Sequence, residues 1–290
     1  MHFKEAKGLL SQGNGMNLYR GCTHGCIYCD ARSMCYQINH AFEDVEVKSN
    51  APALLEDALR RKRKKCMIAT GAMCDPYLHA EEELLLTRRC LELIDRYGFG
   101  VNILTKSDRV LRDLALLKRI NEKARAVVQM TLTTYDEDLC ERIEPAVSTT
   151  AQRAEALGAF HRAGIDTFVW FTPVLPFLND TPENIRGIVG LCAQAGVRGI
   201  VWFGAGVTLR QGDREYFYAQ LDKHFPGIRR RYEQRYGLDY MLMSPHAAEL
   251  DALFRAECTR HGILWEQEHV WAELTRFEPH RAEAEQLSFF

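Results

Sequence analysis

Short apolar runs alternate with longer amphipathic stretches along the first two-thirds of the chain. The apolar runs are Met16–Tyr19, Cys66–Gly71, Gly100–Thr105, Val127–Thr133, Thr167–Val174 and Gly199–Gly204, most of them rich in Val, Ile, Phe or Trp. Brief runs that are apolar at consecutive positions predict strands buried on both faces of a parallel sheet. Between them, Ala51–Lys65, Glu81–Tyr97, Val110–Ala124, Thr149–Ala163 and Pro182–Ala195 carry helical patterns. Asp180 or Thr181 is placed to cap the last of these, where a side-chain oxygen can accept from first-turn backbone N–H groups. Gly98, Gly164 and Gly196 follow three of the helices, at the position that favours left-handed backbone. Six β/α units in series predict an α/β fold, a partial (β/α)6 TIM-like barrel whose site lies at the C-terminal strand edges.

The pattern changes after Gly206. Leu209–Gly237 reads as long and helical with many aromatic and basic residues, Pro245–His261 as a further helix, and Ile263–Trp271 has no clear period. The expected organisation is a barrel domain over 1–207, a mainly helical extension over 208–278 that could dock a substrate, and a tail over 279–290.

Composition narrows the function. Of 290 residues, 47% are hydrophobic and 26% charged, as in an ordinary soluble globular protein. The formal net charge is −2, so nucleic-acid binding would need a local patch. No apolar run approaches the ~20 residues of a membrane span, and the polar start Met1-His-Phe-Lys-Glu-Ala-Lys7 is unlike a secretory signal. A cytoplasmic location, with no membrane partner, is the expectation.

Three of the ten cysteines carry the chemistry. Cys22, Cys26 and Cys29 form a C-x3-C-x2-C triplet, with Tyr28 directly before the last. Three thiolates at this spacing can hold three irons of a [4Fe–4S] cube and leave the fourth open to a ligand, whereas clusters with four protein ligands usually carry electrons. Structural zinc sites close with four ligands, commonly from two C-x2-C pairs or one with a His pair. Here there is one C-x2-C, His24 is too cramped to complete a tetrahedron, and Cys35 is the only nearby spare.

The triplet resembles the radical SAM signature, in which the open iron binds S-adenosylmethionine and one electron cleaves it to a 5′-deoxyadenosyl radical. Further motifs resemble the branch related to spore photoproduct lyase (DNA repair photolyase-like). They are Asn17-Leu-Tyr-Arg-Gly-Cys22 through Asp30, Cys74-Asp-Pro-Tyr77, Leu104-Thr-Lys-Ser107 with Arg112-Asp113, Glu144-Pro145 with Arg153, and Pro173 to Asn179-Asp180. Thr208-Leu-Arg-Gln-Gly-Asp-Arg-Glu-Tyr-Phe-Tyr218 is similar to the radical SAM mobile pair protein B group. The resemblance implies a [4Fe–4S] cluster on Cys22, Cys26 and Cys29, S-adenosylmethionine as cofactor, and hydrogen abstraction from a substrate, in a lyase or other radical reaction. It also implies an electron donor such as flavodoxin or ferredoxin, and a paired radical SAM protein as a further partner. Lys106, after the third strand, is placed to meet the methionine carboxylate. Thr131 matches a hydroxyl position that contacts the cofactor, and Arg153 an arginine suited to carboxylate or ribose contacts. Asp75 stands in a segment that replaces the usual Gly-Gly-Glu element. Cys74 lies in the region where spore photoproduct lyase carries its hydrogen-atom donor, without a match to that position, and free cysteines are more often simply buried. Glu144 could bond the Arg153 fork.

Two features point towards DNA. Arg229, Arg230, Arg231 and Arg235 concentrate charge in two helical turns beside Tyr232 and Tyr236, fit for phosphates and stacked bases. A solvated amphipathic helix with inward tyrosines has the same pattern. Gln286-Leu-Ser-Phe-Phe290 resembles the Q-L-[SD]-L-F motif that binds the bacterial β sliding clamp, with Gln286, Leu287 and Phe290 as anchors and Phe289 as its departure. The sequence expectation is a radical SAM enzyme of DNA repair or modification. The alternatives are one acting on RNA, peptide or protein, and a non-catalytic clamp-tethered iron–sulfur protein.

Overall fold

The computed structural model describes residues 1–279. Its strands are β1 (His2–Lys4), β2 (Gly15–Met16), β3 (Tyr19–Arg20), β4 (Glu46–Lys48), β5 (Met67–Thr70), β6 (Gly100–Thr105), β7 (Ala126–Thr131), β8 (Asp166–Trp170), β9 (Gly199–Val201), β10 (Gly206–Thr208) and β11 (Met241–Met243). Its helices are α1 (Ala51–Arg61), α2 (Glu81–Leu84), α3 (Leu86–Tyr97), α4 (Leu114–Lys123), α5 (Glu137–Ile143), α6 (Thr150–Arg162), α7 (Pro182–Ala195), α8 (Asp213–His224), α9 (Ile228–Tyr236), α10 (Ala247–His261) and α11 (Gln267–Thr275). Six parallel strands pair in the order β2-β5-β6-β7-β8-β9, which is chain order, as a partial barrel requires.

Strand parity divides the core. Val101, Ile103, Val128, Met130 and Val169 belong to the large cluster shared with the helices, whereas Val127, Phe168 and Met67 form an inner cluster with Val270 and Leu274 of α11. The same inner parity carries a polar chain: Trp170 Nε1 donates to Gln129 at 2.6 Å, Gln129 bonds Asn102, and Asn102 Nδ2 donates to Leu274 O at 3.0 Å. An interior that carries amides must satisfy them internally, and this chain of bonds does so. Helix ends follow their local chemistry. Thr181 Oγ1 caps α7 by accepting from Asn184 N, while Gly98 and Gly196 take left-handed φ values of 65° and 70°.

Three predicted elements divide. Met16–Tyr19 becomes β2, in the barrel sheet, and β3, in a separate sheet ordered β1-β4-β3. Glu81–Tyr97 breaks at Leu85 (φ 49°), because the buried Glu81 carboxylate turns back to accept from Leu86 N and Thr87 N at the start of α3. Leu209–Gly237 breaks at Phe225-Pro226-Gly227 into α8 and α9. Strand β10 spans the expected boundary at residue 207 and pairs with β11 of the extension. The extension also packs on the barrel: Trp202 stacks on Phe254 of α10 at 4.5 Å between ring centroids, and Ile200 N donates to Leu264 O at 2.8 Å beside a parallel bridge from Gly199 to Leu264.

Candidate functional site

A cavity of about 430 Å³ opens at the C-terminal ends of the barrel strands. Inner-face parity directs Leu104, Thr131 and Trp170 into it, and the loops after β3 and β5 supply the thiols and Asp75. Gly71 lines it at φ +100°, where an added Cβ would stand 1.8 Å from Leu104 O, so only glycine lets the two strand ends approach.

The cysteine loop is held by its backbone. Cys22 N donates to Phe42 O at 2.9 Å and Ile27 N to Ile143 O at 3.0 Å. Gly21, at φ +83°, lies so close to Phe42 O that a Cβ would stand 2.3 Å from it. Cys22, Cys26 and Cys29 all line the cavity. The neighbouring Cys74 side chain, more than any other group, pulls the Cys22 thiol down to about 6, whereas burial pushes Cys26 and Cys29 up. Cys74 lines the cavity too, with its thiol donating to Gly21 O at 2.8 Å, so its hydrogen is committed to the cluster loop.

Lys106 is the cation of the site. Its Nζ lies 3.4 Å from Thr131 Oγ1 and 5.7 Å from the centroid of the Tyr28 ring, and no carboxylate is within ion-pair distance among the described residues. Burial works to lower the ammonium, but Cys26, Glu144 and Cys29 outweigh it and hold its pKa above the ordinary lysine value. A half-buried ammonium in a cavity without a paired anion among the described residues fits an incoming carboxylate, and three motif thiols on one cavity wall suit the irons of a cube. Asp75 braces this corner: it accepts from Thr105 Oγ1 and Lys106 N, each at 2.6 Å, and from Tyr77 N at 2.8 Å.

Arg153 is placed differently from the expected cofactor contact. Its side chain is 0% exposed, pairs with Glu144 Oε2 at 2.5 Å, and donates to Thr131 O at 2.6 Å. It is not among the cavity-lining residues, so it reaches the site only through its partners. Glu144 in turn accepts from Tyr28 OH. Burial alone would raise the Glu144 carboxyl, but Arg153 and then Lys106 hold it below the ordinary range. The expected Glu144–Arg153 fork is present, and it positions Tyr28 and the end of β7.

The arginine-rich segment also needs correction. Tyr232 is fully buried, with its hydroxyl donating to Pro176 O at 2.8 Å, so it has no face for a base, and Tyr236 is buried as well. Arg229 is engaged by Asp222 and Glu233, both at 2.8 Å. Arg230, Arg231 and Arg235 are exposed. Gln286, Leu287 and Phe290 lie outside the described residues.

Other cavity residues were not singled out by the sequence as site residues. His24 is 2% exposed, lies 3.4 Å from Asp75 through Nδ1, and keeps Nε2 without a partner among the described residues. Trp170 and Phe203 meet at 5.9 Å near the opening, and Thr208, Met241 and Met243 of the β10–β11 pair form another wall. Only strand pairing across distant sequence brings these together.

A partial barrel whose cavity holds the three motif thiols and an ammonium with no ion-pair partner among the described residues defines a site for an open-iron cluster and a carboxylate-bearing cofactor. Residues 16–185 match the Radical SAM superfamily, and the chain belongs to that family. Its cofactors are a [4Fe–4S] cluster and S-adenosylmethionine. An uncharacterized protein of Mycobacterium tuberculosis is 32% identical over 232 residues, covering 76% of this chain and 66% of the relative. An uncharacterized protein of Methanocaldococcus jannaschii is 34% identical over 174 residues, covering 59% of this chain and 64% of that one. The chain thus spans just under two-thirds of these relatives. Among solved structures, a cysteine-to-serine variant of spore photoproduct lyase shares the fold at TM-score 0.66 and 15% identity, covering 91% of this chain and 80% of that one. A cysteine-to-alanine variant with a dinucleoside spore photoproduct matches at TM-score 0.62 and 16% identity, over 86% and 74% of the two chains. Among the described residues, no helix is long and apolar enough to cross a membrane.

Proposed function

We propose that this chain is a radical SAM enzyme that abstracts hydrogen from a nucleic-acid substrate in DNA repair or modification. The observation that carries the substrate class is the aromatic part of the cavity wall, where Trp170 meets Phe203 at 5.9 Å between ring centroids. Phe203 is 49% exposed, a large apolar face offered to solvent. Such rings stack on extruded or single-stranded bases irrespective of sequence. Arg230, Arg231 and Arg235 add exposed positive charge on α9 for a phosphate backbone. The fold likeness to an enzyme solved with a dinucleoside photoproduct agrees with this reading.

Cys22, Cys26 and Cys29 would hold the cluster, which when bound supplies the electron for reductive cleavage of S-adenosylmethionine and the hydrogen abstraction that follows. Lys106, with Thr131 Oγ1 at 3.4 Å from its Nζ, would bind the methionine carboxylate. Asp75 orients the Lys106 backbone, and the buried Glu144–Arg153 pair holds Tyr28 against the loop. The apolar walls exclude water from the reacting centre. Gln286, Leu287 and Phe290 remain the proposed clamp contact; tail-deleted protein that binds the clamp as tightly as full chain refutes it.

The deciding experiment is anaerobic. Reconstituted protein is given dithionite and S-adenosylmethionine, and 5′-deoxyadenosine is followed with and without damaged or intact DNA. Formation that rises with DNA and is lost in Cys26→Ala supports the proposal. Formation at one slow rate regardless of DNA removes the substrate class, and none from cluster-loaded protein removes the enzyme.

A further inference from the structure

We propose that His2, His40 and Glu46 form a second metal site, for a zinc-class divalent cation, on the sheet that carries the chain into the cysteine loop. One ligand atom from each lies within 4.8 Å of the others. The fold creates this proximity directly: β1 and β4 pair with His2 opposite Glu46, and the turn leading into β4 carries His40. The imidazole rings meet edge to face at 4.9 Å.

Hydrogen bonding prepares both rings for a metal. His2 Nδ1 lies 2.9 Å from Asp44 Oδ2, and a carboxylate only accepts, so Nδ1 carries the proton. His40 Nδ1 lies 2.9 Å from Ala41 O, a carbonyl that also only accepts. In its neutral form each ring therefore presents Nε2 as a lone pair, and His40 Nε2 is buried without a hydrogen-bond partner among the described residues. His2 Nε2 is 3.9 Å from Glu46 Oε2. A metal-ligating imidazole normally donates its other nitrogen to a carboxylate or carbonyl, the arrangement both rings have here.

Two histidines and a carboxylate suit zinc, with a water in the fourth position, while Asp44 stays occupied by His2 Nδ1 and the Met1 ammonium. Tetrahedral ligand atoms stand about 3.3 Å apart for bonds of about 2.0 Å, so the three groups close by an ångström or so on binding. The Lys4 ammonium, 3.1 Å from Glu46 Oε2 and 59% exposed, is free to turn into solvent. The bound ion would clasp β1 to residues 40–46, whose Phe42 O accepts from Cys22 N. It would thereby stiffen the entry to the cluster loop without taking part in the radical reaction.

The test uses full-length, anaerobically reconstituted protein with its iron and sulfide complement filled, so that the cysteines are occupied. It is equilibrated with zinc sulfate at micromolar concentration, freed of unbound metal, and measured by elemental analysis and zinc-edge X-ray absorption. The expected result is about one zinc per chain with imidazole and oxygen scattering and no sulfur. His40→Ala lowers zinc affinity by at least ~100-fold and Asp44→Asn by ~10–100-fold, both with unchanged iron. Should His40→Ala fail to fold, Asp44→Asn decides. No bound zinc, sulfur scattering, or affinity unchanged in the folded variants overturns the site.

Discussion

Glu144→Gln is the substitution whose outcome the structure specifies most fully. The Arg153 guanidinium is completely buried, 2.5 Å from the Glu144 carboxylate, and Tyr28 leans on the other carboxylate oxygen. At an effective dielectric of ~20, attraction at this separation is on the order of 6 kcal/mol, opposed by the desolvation of both ions. Neutralising Glu144 leaves the guanidinium buried without a counter-charge, for a loss of about 3–5 kcal/mol of folding stability. Arg153→Met strands the carboxylate instead and should cost a similar amount. The double variant removes both charges, so its cost falls short of the sum of the single losses by about 2 kcal/mol or more. Urea unfolding of cluster-free protein, followed by circular dichroism, measures all three. Because the pair lowers the folded pKa of Glu144, its stabilisation is present above the ordinary carboxylate range and is lost as pH falls. Wild type should therefore lose stability in acid faster than Glu144→Gln. Single costs that add within ~0.5 kcal/mol would refute the coupling.

Three further outcomes follow from the same site and its surroundings. Lys106→Met should weaken S-adenosylmethionine binding by ~10–100-fold, the worth of a charge-assisted hydrogen bond, with iron content unchanged; equilibrium dialysis checks it. Cys74→Ala should retain the cluster and 5′-deoxyadenosine formation, and an altered product mixture would identify Cys74 as a hydrogen donor, whereas unchanged products would end that assignment. Asp213, pushed by burial from 3.8 to about 6, has one carboxylate oxygen without a partner among the described residues. A raised folded pKa stabilises the native state in acid and is lost as pH rises, so Asp213→Asn should be more stable than wild type above pH 6, with the difference vanishing towards pH 4 in thermal unfolding.

What the sequence revealed depends on whether a feature is local. The strand runs were readable because parallel strands are covered on both faces, and Thr181, Gly98 and Gly196 because caps answer to their own neighbours. The break at Leu85 was not, since it depends on Glu81 folding back while Tyr19 and Arg112 compete for the same carboxylate. The cysteine spacing and the positions of Asp75, Lys106 and Thr131 were legible as one strand-end constellation. Arg153 shows the limit of such reading: the motif located it, but only the fold reveals that its fork is spent on Glu144 and Thr131 O. Tyr232 has the spacing of an exposed stacking residue and belongs to the core between α8, α9 and Phe177.

The bridge from Gly199 to Leu264 gives the barrel a biosynthetic dependence. A partial barrel leaves a last strand with an open hydrogen-bonding edge, a template for pairing with another chain. On β9 that edge is engaged by Leu264, whose N–H donates to Arg198 O and whose carbonyl accepts from Ile200 N. Leu264 is synthesised long after Val201, so a nascent chain carries an exposed edge for several seconds at ordinary elongation rates. A truncation at residue 207 would make that interval permanent, and the isolated barrel should be recovered as aggregate rather than as a working half.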